Sequence, residues 1–448
     1  MTALNFMNNI KYKPPVLKQY QDLLLDMYPE KFIGDRHVKT VTFQVTEDCC
    51  LNCSYCYQVH NSVQKPMSFE LAKTFIDQLL SDNFERITTA NTVGIIWEFI
   101  GGEPFLQIDL IQKITDYIYK VMTEKNHPWL FLSRISISSN GILYFDPKVQ
   151  NYIQQYFTLL SLNISIDGNK NLHDSCRVDL NGNGSYDRAI AAVRHFKSTY
   201  NQMPAIKMTY APANIGFMYE ATLSLIEEGY TQLQGNCVFE EGWTYEHATI
   251  LYYQLKQIAD YLIDNNLYNK IYFAFFIEDT FFKPLDPGYN RNWCGGVDCT
   301  MLAINPKGEY YNCIRYMESS LQGEQKPLKL GSVNEGYLQT EEERANYNMT
   351  QGITRKSQST EECFNCPIAG GCAWCSAYNY QVNGTPNKRV ISICPMHKAR
   401  ALGNVYFWNK LYRTLDIDKT FINYLPDDES LKIIDKNELS ILKSLERG

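Results

Sequence analysis

The stretch TEDCCLNCSYCYQ, residues 46–58, contains four of the fourteen cysteines of the chain. Three of these cysteines follow the spacing C-x3-C-x2-C, and they are Cys49, Cys53 and Cys56. A structural zinc site takes four ligands, often as two C-x2-C pairs, so this set is one short unless Cys50 or His60 completes it. A [4Fe–4S] cluster also takes four ligands. Three cysteines on one loop would therefore leave one iron of such a cluster open to another molecule.

Strand-like and helix-like segments alternate along the chain, beginning with the strand KTVTFQVTE (39–47) that precedes the cysteine loop. SFELAKTFIDQLLSD (68–82) predicts an amphipathic helix with Ser68 as its N-cap. Six β–α units follow one another in this way up to residue 266. This alternation predicts an α/β fold with a parallel sheet, closed into a full or partial barrel.

Polar loops follow several of the predicted strands. GGEP (101–104), SSNG (138–141) and SIDG (165–168) each come directly after one, as the cysteine loop does. Active sites of parallel barrels lie at the carboxyl ends of the strands. We therefore expect these loops to surround one site.

Composition excludes some classes of partner. The net charge of −7, with no basic block, argues against a nucleic-acid partner. The chain starts without a signal peptide and has no apolar run of about 18 residues, so we expect a cytoplasmic protein without membrane segments. In a reducing cytosol, clustered cysteines are metal ligands or redox centres rather than disulfides.

The character of the sequence changes after residue 288: cysteines become frequent, and the predicted helices and strands become short. We divide the chain into an N-terminal extension (1–38), a barrel (39–288), a Cys-rich domain (289–400) and a C-terminal helix with a tail (401–448). The second domain contains eight cysteines, and they are Cys294, Cys299, Cys313, Cys363, Cys366, Cys372, Cys375 and Cys394. Four of them could form a zinc ribbon, but eight is the ligand count of two complete [4Fe–4S] clusters.

The first cysteine loop, C-x3-C-x-aromatic-C after the first strand, resembles that of the radical S-adenosylmethionine (SAM) enzymes. The resemblance implies that SAM chelates the open iron and yields a 5′-deoxyadenosyl radical, with Cys49, Cys53 and Cys56 holding the catalytic cluster. It implies Glu103 or neighbouring carbonyls at the SAM ammonium and Arg177 at its carboxylate. The cofactor-binding residues implied in this way are Tyr55, Gly101, Gly102, Glu103, Asn140, Ser165, Asp167 and Arg177.

The later cysteines, together with Gly308 five residues before Cys313, resemble the SPASM domain of radical SAM enzymes that modify peptides. Two residues rather than three separate Cys372 from Cys375, which departs from the usual pattern. The resemblance implies three [4Fe–4S] clusters in all. Auxiliary cluster I would use Cys294, Cys313 and Cys375, with Cys299 or a substrate thiolate as the fourth ligand. Auxiliary cluster II would use Cys363, Cys366, Cys372 and Cys394.

The chain looks closest to maturases whose target peptides carry repeated Cys-x-x-x units. This resemblance implies thioether bonds in a ribosomally made precursor peptide, as in ranthipeptides, and an electron donor such as flavodoxin or ferredoxin. Anaerobic sulfatase-maturing enzymes carry an acidic base after the G-x4-C cysteine, whereas Ile314 and Arg315 stand here. Carbon–carbon crosslinking and, outside enzymes, an iron–sulfur electron carrier or a zinc-stabilised scaffold remain alternatives.

The other residues singled out have less specific roles. We expect Cys50 to be a spacer, and Cys176 and Cys237 to be small buried apolar groups. Glu240 and Glu241 end the sixth strand, where they either face the substrate or form a solvated edge. Because only 48 residues precede Cys49, we expect leader binding to be partial, to lie in another protein, or to use the barrel exterior.

Overall fold

The computed structural model describes residues 37–58, 64–276, 282–289, 292, 294–322 and 325–447. Of the predicted N-terminal extension, residues 1–36 lie outside these ranges, and the last two open the first strand.

Parallel strands and helices alternate through the first part of the chain. The strands are β1 (His37–Thr46), β2 (Thr92–Gly101), β3 (Ser133–Ser139), β4 (Leu160–Ile164), β5 (Ala205–Ile206), β6 (Met208–Tyr210), β7 (Gln232–Leu233), β8 (Gly235–Cys237) and β9 (Tyr272–Phe273). The helices are α1 (Phe69–Leu79), α2 (Ile108–Glu124), α3 (Pro147–Tyr156), α4 (Lys170–Cys176), α5 (Tyr186–Tyr200), α6 (Met218–Glu227) and α7 (Tyr245–Asp264).

These strands form the predicted parallel sheet. β1 to β5 lie side by side in chain order, β6 pairs with β8, and β7 pairs with β9, all in parallel. The fifth and sixth predicted strands are each interrupted after two residues, at Lys207 and Gln234. The predicted N-cap of α1 is present, because the Ser68 side chain accepts a hydrogen bond from the Leu71 amide. The α/β fold with a partial barrel is confirmed.

The two faces of the sheet differ in chemistry. Val41, Phe43 and Val45 on β1 are fully buried, and Phe43 packs 5.5 Å from both Phe75 of α1 and Phe99 of β2. Side chains alternate along a strand, so the neighbours of these residues point to the opposite face. That face is polar, and the residues on it include Thr42, Gln44, Glu98, Ser136, Ser138, Ser161, Asn163, Thr209 and Asn236. The barrel interior is therefore a hydrophilic lumen.

The Cys-rich region continues the same sheet, which the sequence pattern did not predict. Its elements are β10 (Met301–Ile304), β11 (Glu309–Tyr311), β12 (Gly331–Ser332), β13 (Gly336–Tyr337), α8 (Glu341–Thr350), α9 (Glu361–Phe364) and α10 (Ser376–Asn383). β10 pairs in parallel with β1, and β11 to β13 follow as antiparallel strands. The domain division at residues 288 and 289 stays a prediction.

The C-terminal part is more helical than expected. It contains α11 (Cys394–Thr414), α12 (Asp427–Ser430) and α13 (Lys436–Arg447). The last predicted helix, 399–415, starts five residues earlier, because Pro395 suits the first turn of a helix. In the tail, whose pattern was uninformative, the Glu438 carboxylate accepts from Tyr252 Oη (2.6 Å) and Lys256 Nζ (2.7 Å) of α7.

We expect the Glu438→Ala substitution to destabilise the protein by about 2 kcal/mol, because it removes the acceptor of two hydrogen bonds, one from a cation. The side chain of Glu438 is only 7% exposed, so water cannot replace the carboxylate. A Lys443→Ala variant, which breaks the exposed pair with Asp427, should cost less than about 1 kcal/mol. Thermal unfolding of both variants measures the difference, and equal losses would contradict tail docking through Glu438.

Candidate functional site

The loop that follows β1 carries the first three cysteines and is held from two sides. The Asn52 and Ser54 amides donate to the carbonyls of Val178 (2.8 Å) and Cys176 (2.9 Å), at the end of α4. On the other side, the Glu103 amide of the GGEP loop donates to the carbonyl of Asp48 (2.9 Å). Backbone hydrogen bonds therefore fix the loop between the ends of β2 and α4.

The two glycines of GGEP are required by close packing against this loop. A Cβ on Gly101 would lie 2.5 Å from the carbonyl oxygen of Thr46, and one on Gly102 would lie 2.2 Å from that of Asp48. Neither contact is possible without moving backbone. The approach of the two loops thus accounts for both glycines, and their place in SAM binding stays a prediction.

Glu103 joins the loops after β2 and β3. It is 1% exposed, and its Oε1 accepts from Ser139 Oγ (2.8 Å) and the Phe105 amide (3.1 Å), while Oε2 accepts from the Asn140 amide (2.8 Å). Burial raises the pKa of Glu103 to about 7. Most of its acceptor positions are used within the protein. The structure therefore gives Glu103 an organising role, and a contact with the SAM ammonium stays a prediction.

Asn140 lies directly against the cysteine loop. Its Nδ2 donates to Cys50 Sγ (3.3 Å) and lies 3.8 Å from Cys49 Sγ. Its Oδ1 accepts from the Ile142 amide (3.0 Å) and so fixes the side chain. Cys50 thus accepts a hydrogen bond from Asn140. This contact agrees with a spacer role for Cys50, which stays a prediction.

Asp167 gathers three elements at the carboxyl end of β4. It is fully buried, and its Oδ2 accepts from Arg177 Nε (2.8 Å) and from the Tyr55 hydroxyl. Its Oδ1 accepts from the Thr209 amide of β6 (3.0 Å). Burial raises the pKa of Tyr55, so its hydroxyl stays a neutral donor. Tyr55, Asp167 and Arg177, singled out separately in the sequence, therefore form one connected group.

Arg177 extends this group to the cysteines. Its Nη1 lies 3.7 Å from Cys53 Sγ, and its guanidinium lies 5.3 Å from the centre of the Tyr55 ring. Ser165, also predicted here, donates its amide to the Ser139 carbonyl (2.9 Å). All predicted SAM-binding residues therefore surround the cysteine loop, although their contacts with SAM stay predictions.

The chemistry of the loop fits an iron–sulfur cluster. Burial raises the pKa of Cys53 to about 11, and a buried thiolate needs a positive partner. In the described ranges, no three His, Cys, Asp or Glu side chains form a group that could hold one metal ion. Each cysteine of a [4Fe–4S] cluster binds its own iron, so its thiolates stand farther apart than those around one ion. Cys49, Cys53 and Cys56 would hold such a cluster.

The four cysteines predicted for auxiliary cluster II come together. Burial raises the pKa of Cys394 to about 11, and the nearby Cys363 and Cys366 raise it further. Burial also raises the pKa of Cys372, with the same three thiols adding to the effect. α9 carries Cys363 and α11 begins at Cys394, so two helix termini and the loop between α9 and α10 supply the set.

Three of the four cysteines predicted for auxiliary cluster I also come together. Burial raises the pKa of Cys313, and Cys375 and Cys294 add to this. Cys299 has other neighbours: its Sγ lies 3.5 Å from Arg86 Nη1 and donates to Gln351 Oε1 (3.4 Å). Its assignment as fourth ligand stays a prediction.

Arg315 links the barrel to the Cys-rich region, a role that sequence reasoning missed. It forms an ion pair with Glu240, and its guanidinium lies 4.0 Å from the centre of the Tyr57 ring, next to Cys56. Its amide donates to Cys313 Sγ (3.3 Å). Glu240 is therefore paired rather than part of a solvated edge. The only sequence signal was that Arg315 stands where a related class has its base.

Lys207, also missed, lies in the interruption between β5 and β6. The residue is exposed to solvent, but the surrounding barrel atoms partly desolvate its ammonium and lower its pKa; Glu98 opposes that shift, and Arg177 and Arg315 reinforce it. Its ammonium therefore lies within electrostatic range of Glu98, Arg177 and Arg315. Within the described part of the chain, its Nζ has no hydrogen bond or ion pair.

The two remaining cysteines are core residues. Cys176 and Cys237 are 6% and 8% exposed and lie in the main hydrophobic core, as expected. Burial raises the pKa of Cys237 to about 12. A separate search for membrane spans found, among the described residues, no helix long and apolar enough to cross a bilayer.

Sequence comparisons match this chain to one family model and to several known proteins. The family model described as "4Fe-4S single cluster domain" matches residues 36–191. An uncharacterized protein of Methanocaldococcus jannaschii is 28% identical over 62% of this chain and 85% of its own. The radical SAM cyclopropyl synthase TigE of Paramaledivibacter caminithermalis is 23% identical over 75% of this chain and 67% of its own length. A cysteine-type anaerobic sulfatase-maturating enzyme of Clostridium novyi is 26% identical over 36% of this chain and 41% of its own length.

Two solved structures share the fold. Native anSMEcpe with bound AdoMet and Kp18Cys peptide has a TM-score of 0.61 at 17% identity, covering 85% of this chain and 100% of that one. SuiB of Streptococcus suis bound to precursor peptide SuiA has a TM-score of 0.50 at 13% identity, covering 85% of this chain and 81% of that one. These likenesses show an α/β fold with a parallel sheet and a Cys-rich C-terminal region.

The Gly102→Ala substitution should displace the cysteine loop, since the new Cβ would meet the Asp48 carbonyl. After anaerobic reconstitution we expect about four fewer irons per chain, the content of one cluster. Gly242→Ala, where nothing lies within 4 Å of the added Cβ, should keep the full iron content. Full iron in the Gly102 variant would show that the loop contact is dispensable.

Proposed function

We propose that this chain, which groups with the radical SAM/SPASM peptide-modifying enzymes, forms thioether bonds in a ribosomally synthesised precursor peptide. Each bond would join a Cys sulfur to a carbon of a downstream residue. The observation that carries the proposal is that Cys294, Cys313 and Cys375 lie near one another, while the Cys299 thiol is engaged with Gln351. A cluster on three cysteines has one iron that lacks a protein thiolate. A cysteine of the peptide has the right chemistry for that position.

The first site would supply the radical. Cys49, Cys53 and Cys56 would hold the SAM-binding cluster, and reductive cleavage of SAM provides the hydrogen-abstracting group. The chain's own contribution is position: Asp167 holds Arg177 and Tyr55 in place through a buried ion pair and a hydrogen bond. Arg177 keeps guanidinium N–H groups beyond its Nε bond to Asp167, so it suits the SAM carboxylate.

The polar lumen suits a peptide better than an apolar small molecule. An extended peptide exposes backbone amides and carbonyls that require partners. Side chains such as Ser136, Ser138 and Asn163, brought to one face by the strand register, offer both donors and acceptors. Related structures contain bound peptides, namely Kp18Cys on anSMEcpe and SuiA on SuiB. These observations support a peptide substrate lying in the barrel.

Formylglycine formation is less well supported. The position of the acidic base is taken by Ile314, which is buried, and Arg315, which is paired with Glu240. An arginine stays protonated in proteins and cannot accept a proton from the substrate. The similarity to a sulfatase-maturating enzyme covers 36% of this chain, so it leaves this argument intact.

The proposal is tested by incubating reduced, cluster-loaded enzyme anaerobically with SAM and the Cys-containing peptide encoded beside it. We expect the peptide to lose two hydrogen atoms, one thiol to resist alkylation, and 5′-deoxyadenosine to form in equal amount. Mass loss with all thiols still alkylated would indicate carbon–carbon crosslinking and overturn thioether formation. Loss of thiol sulfur with an aldehyde product would establish formylglycine instead.

Two cysteine variants form the matched control for this assay. Cys313→Ala should abolish crosslinking and remove auxiliary cluster I, whereas Cys299→Ala should retain that cluster because Cys299 is engaged with Gln351. Loss of the cluster's iron in the Cys299 variant would restore Cys299 as its fourth ligand and remove the open position.

Lys207→Met should slow crosslinking by about 10- to 100-fold, because its ammonium stands in the lumen where it can hold an anionic group of the peptide. Formation of 5′-deoxyadenosine without peptide should remain unchanged. Lys120→Met, on the exposed face of α2, is the control and should behave like the unaltered chain. A Lys207 variant with unchanged kcat and KM for the peptide would exclude this residue from substrate positioning.

A further inference from the structure

Two arginines are buried beside the cysteines of auxiliary cluster II. Arg355 is 1% exposed and Arg389 is 7% exposed. Their guanidinium carbons lie 4.8 and 4.7 Å from the centre of the Trp374 ring. Trp374 lies between Cys372 and Cys375, which belong to different auxiliary sites. The two guanidiniums thus pack against the chain segment that joins the two sites.

Neither arginine has a carboxylate within ion-pair distance in the described ranges of the chain. Arg355 donates from Nη2 to the carbonyl of Ala369 (3.2 Å), while its buried Nε and Nη1 have no acceptor. Arg389 donates from Nη2 to Cys372 Sγ (2.9 Å), and its Nη1 is likewise buried without an acceptor. Burying a cation without a counter-charge is costly. Stacking on Trp374 offsets only part of that cost, so an anion is missing.

An iron–sulfur cluster would supply that anion. An oxidised [4Fe–4S] core with four thiolate ligands carries a formal charge of about −2. Arg389 donates to Cys372 Sγ, and Arg355 donates to the carbonyl of Ala369, which lies between Cys366 and Cys372 in the chain. Two guanidiniums offset the charge of the oxidised cluster, and they attract the reduced cluster, which has one more negative charge, more strongly.

We propose that Arg355 and Arg389 raise the reduction potential of auxiliary cluster II above that of auxiliary cluster I. This inference rests on the proposed function for the presence of both clusters. Net charge and hydrogen bonds to the sulfurs are among the factors that set such potentials. Arg389 contributes both, since it donates to Cys372 Sγ.

Auxiliary cluster I has a different electrostatic environment. Arg315 lies beside its cysteines and forms an ion pair with Glu240, so the opposite charges largely cancel at a distance. Arg86 and Lys39 lie near Cys299, but in the described part of the chain neither donates to Cys294, Cys313 or Cys375. Arg389, in contrast, donates directly to Cys372 Sγ, so the unpaired cations act more strongly on auxiliary cluster II.

The difference would give electron transfer a direction. If crosslinking left one electron on auxiliary cluster I, that electron would pass to auxiliary cluster II without any change of bonds or protons. A one-electron acceptor protein such as a flavodoxin or ferredoxin would then oxidise cluster II. The arginines would thus keep cluster I oxidised and ready for the next turnover.

The test is a redox titration followed by electron paramagnetic resonance on the full chain with reconstituted clusters. Substituting Cys49, Cys53 and Cys56 by Ala in every sample leaves only the auxiliary signals. We expect Arg355→Gln and Arg389→Gln each to shift the midpoint of cluster II to a more negative potential. The midpoint of cluster I should stay where it is. Arg194→Gln, at a 61% exposed surface pair, is the control and should move neither midpoint.

A purely structural role for the arginines predicts a different result. Arg355→Lys keeps the charge, so the midpoint potential of cluster II should stay close to that of the unaltered chain. A structural role predicts instead that Lys and Gln lower this midpoint equally. If the Gln variants do not fold, the order of reduction decides, because substoichiometric reductant should reduce cluster II first in the chain with both arginines. Cys394→Ser identifies which signal belongs to cluster II.

Different failures have different meanings. Unmoved midpoints with full iron content, or reduction of cluster I first, would overturn the role of the arginines and leave the proposed function intact. A background chain that binds no iron after reconstitution would instead overturn the auxiliary clusters and the proposed function with them.

Discussion

The buried carboxylate of Asp167 is the interaction on which the candidate active site depends. It accepts hydrogen bonds from Arg177, Tyr55 and the Thr209 amide, and so joins a segment after β4, the cysteine loop and β6. Because the carboxylate is fully buried, these partners compensate for its desolvation. An exposed pair with the same geometry would fix the position of Arg177 much less firmly. Asp167 therefore orients Arg177, whose Nη1 lies 3.7 Å from Cys53 Sγ.

The second constraint is the connection between the barrel and the Cys-rich region. β10 adds to the free edge of β1, so the strand that leads into the first cysteine loop also carries the second domain. Arg315 repeats this connection at the site itself, between Tyr57 beside Cys56 and the thiol of Cys313. The same strand and the same side chain thus set the position of the first cysteine loop relative to Cys313. A peptide in the lumen, as proposed, would meet both.

Sequence reasoning succeeded where the information is local. The alternation of strands and helices, the Ser68 cap and the loops at the strand ends follow from residues close together in the chain. The GGEP loop was predicted to bind SAM, which stays a prediction, and the contact of its glycines with Thr46 and Asp48 could not be seen from the motif. The addition of β10 to β1 and the pairing of Arg315 with Glu240 depend on tertiary contacts across 75 or more residues. No spacing rule contains that information.

Cysteine counting treats the three proposed cluster sites as equivalent, whereas their electrostatic environments differ. Arg177 beside the first site is neutralised by Asp167, and Arg315 beside the cysteines proposed for auxiliary cluster I is neutralised by Glu240. At the cysteines proposed for auxiliary cluster II, Arg355 and Arg389 have no carboxylate within ion-pair distance in the described part of the chain, and Arg389 donates to a ligand thiol. Paired arginines orient neighbours with little change in the local charge, and unpaired ones favour any added electron. The charges around this site, as well as its thiolates, would therefore set how readily it accepts an electron.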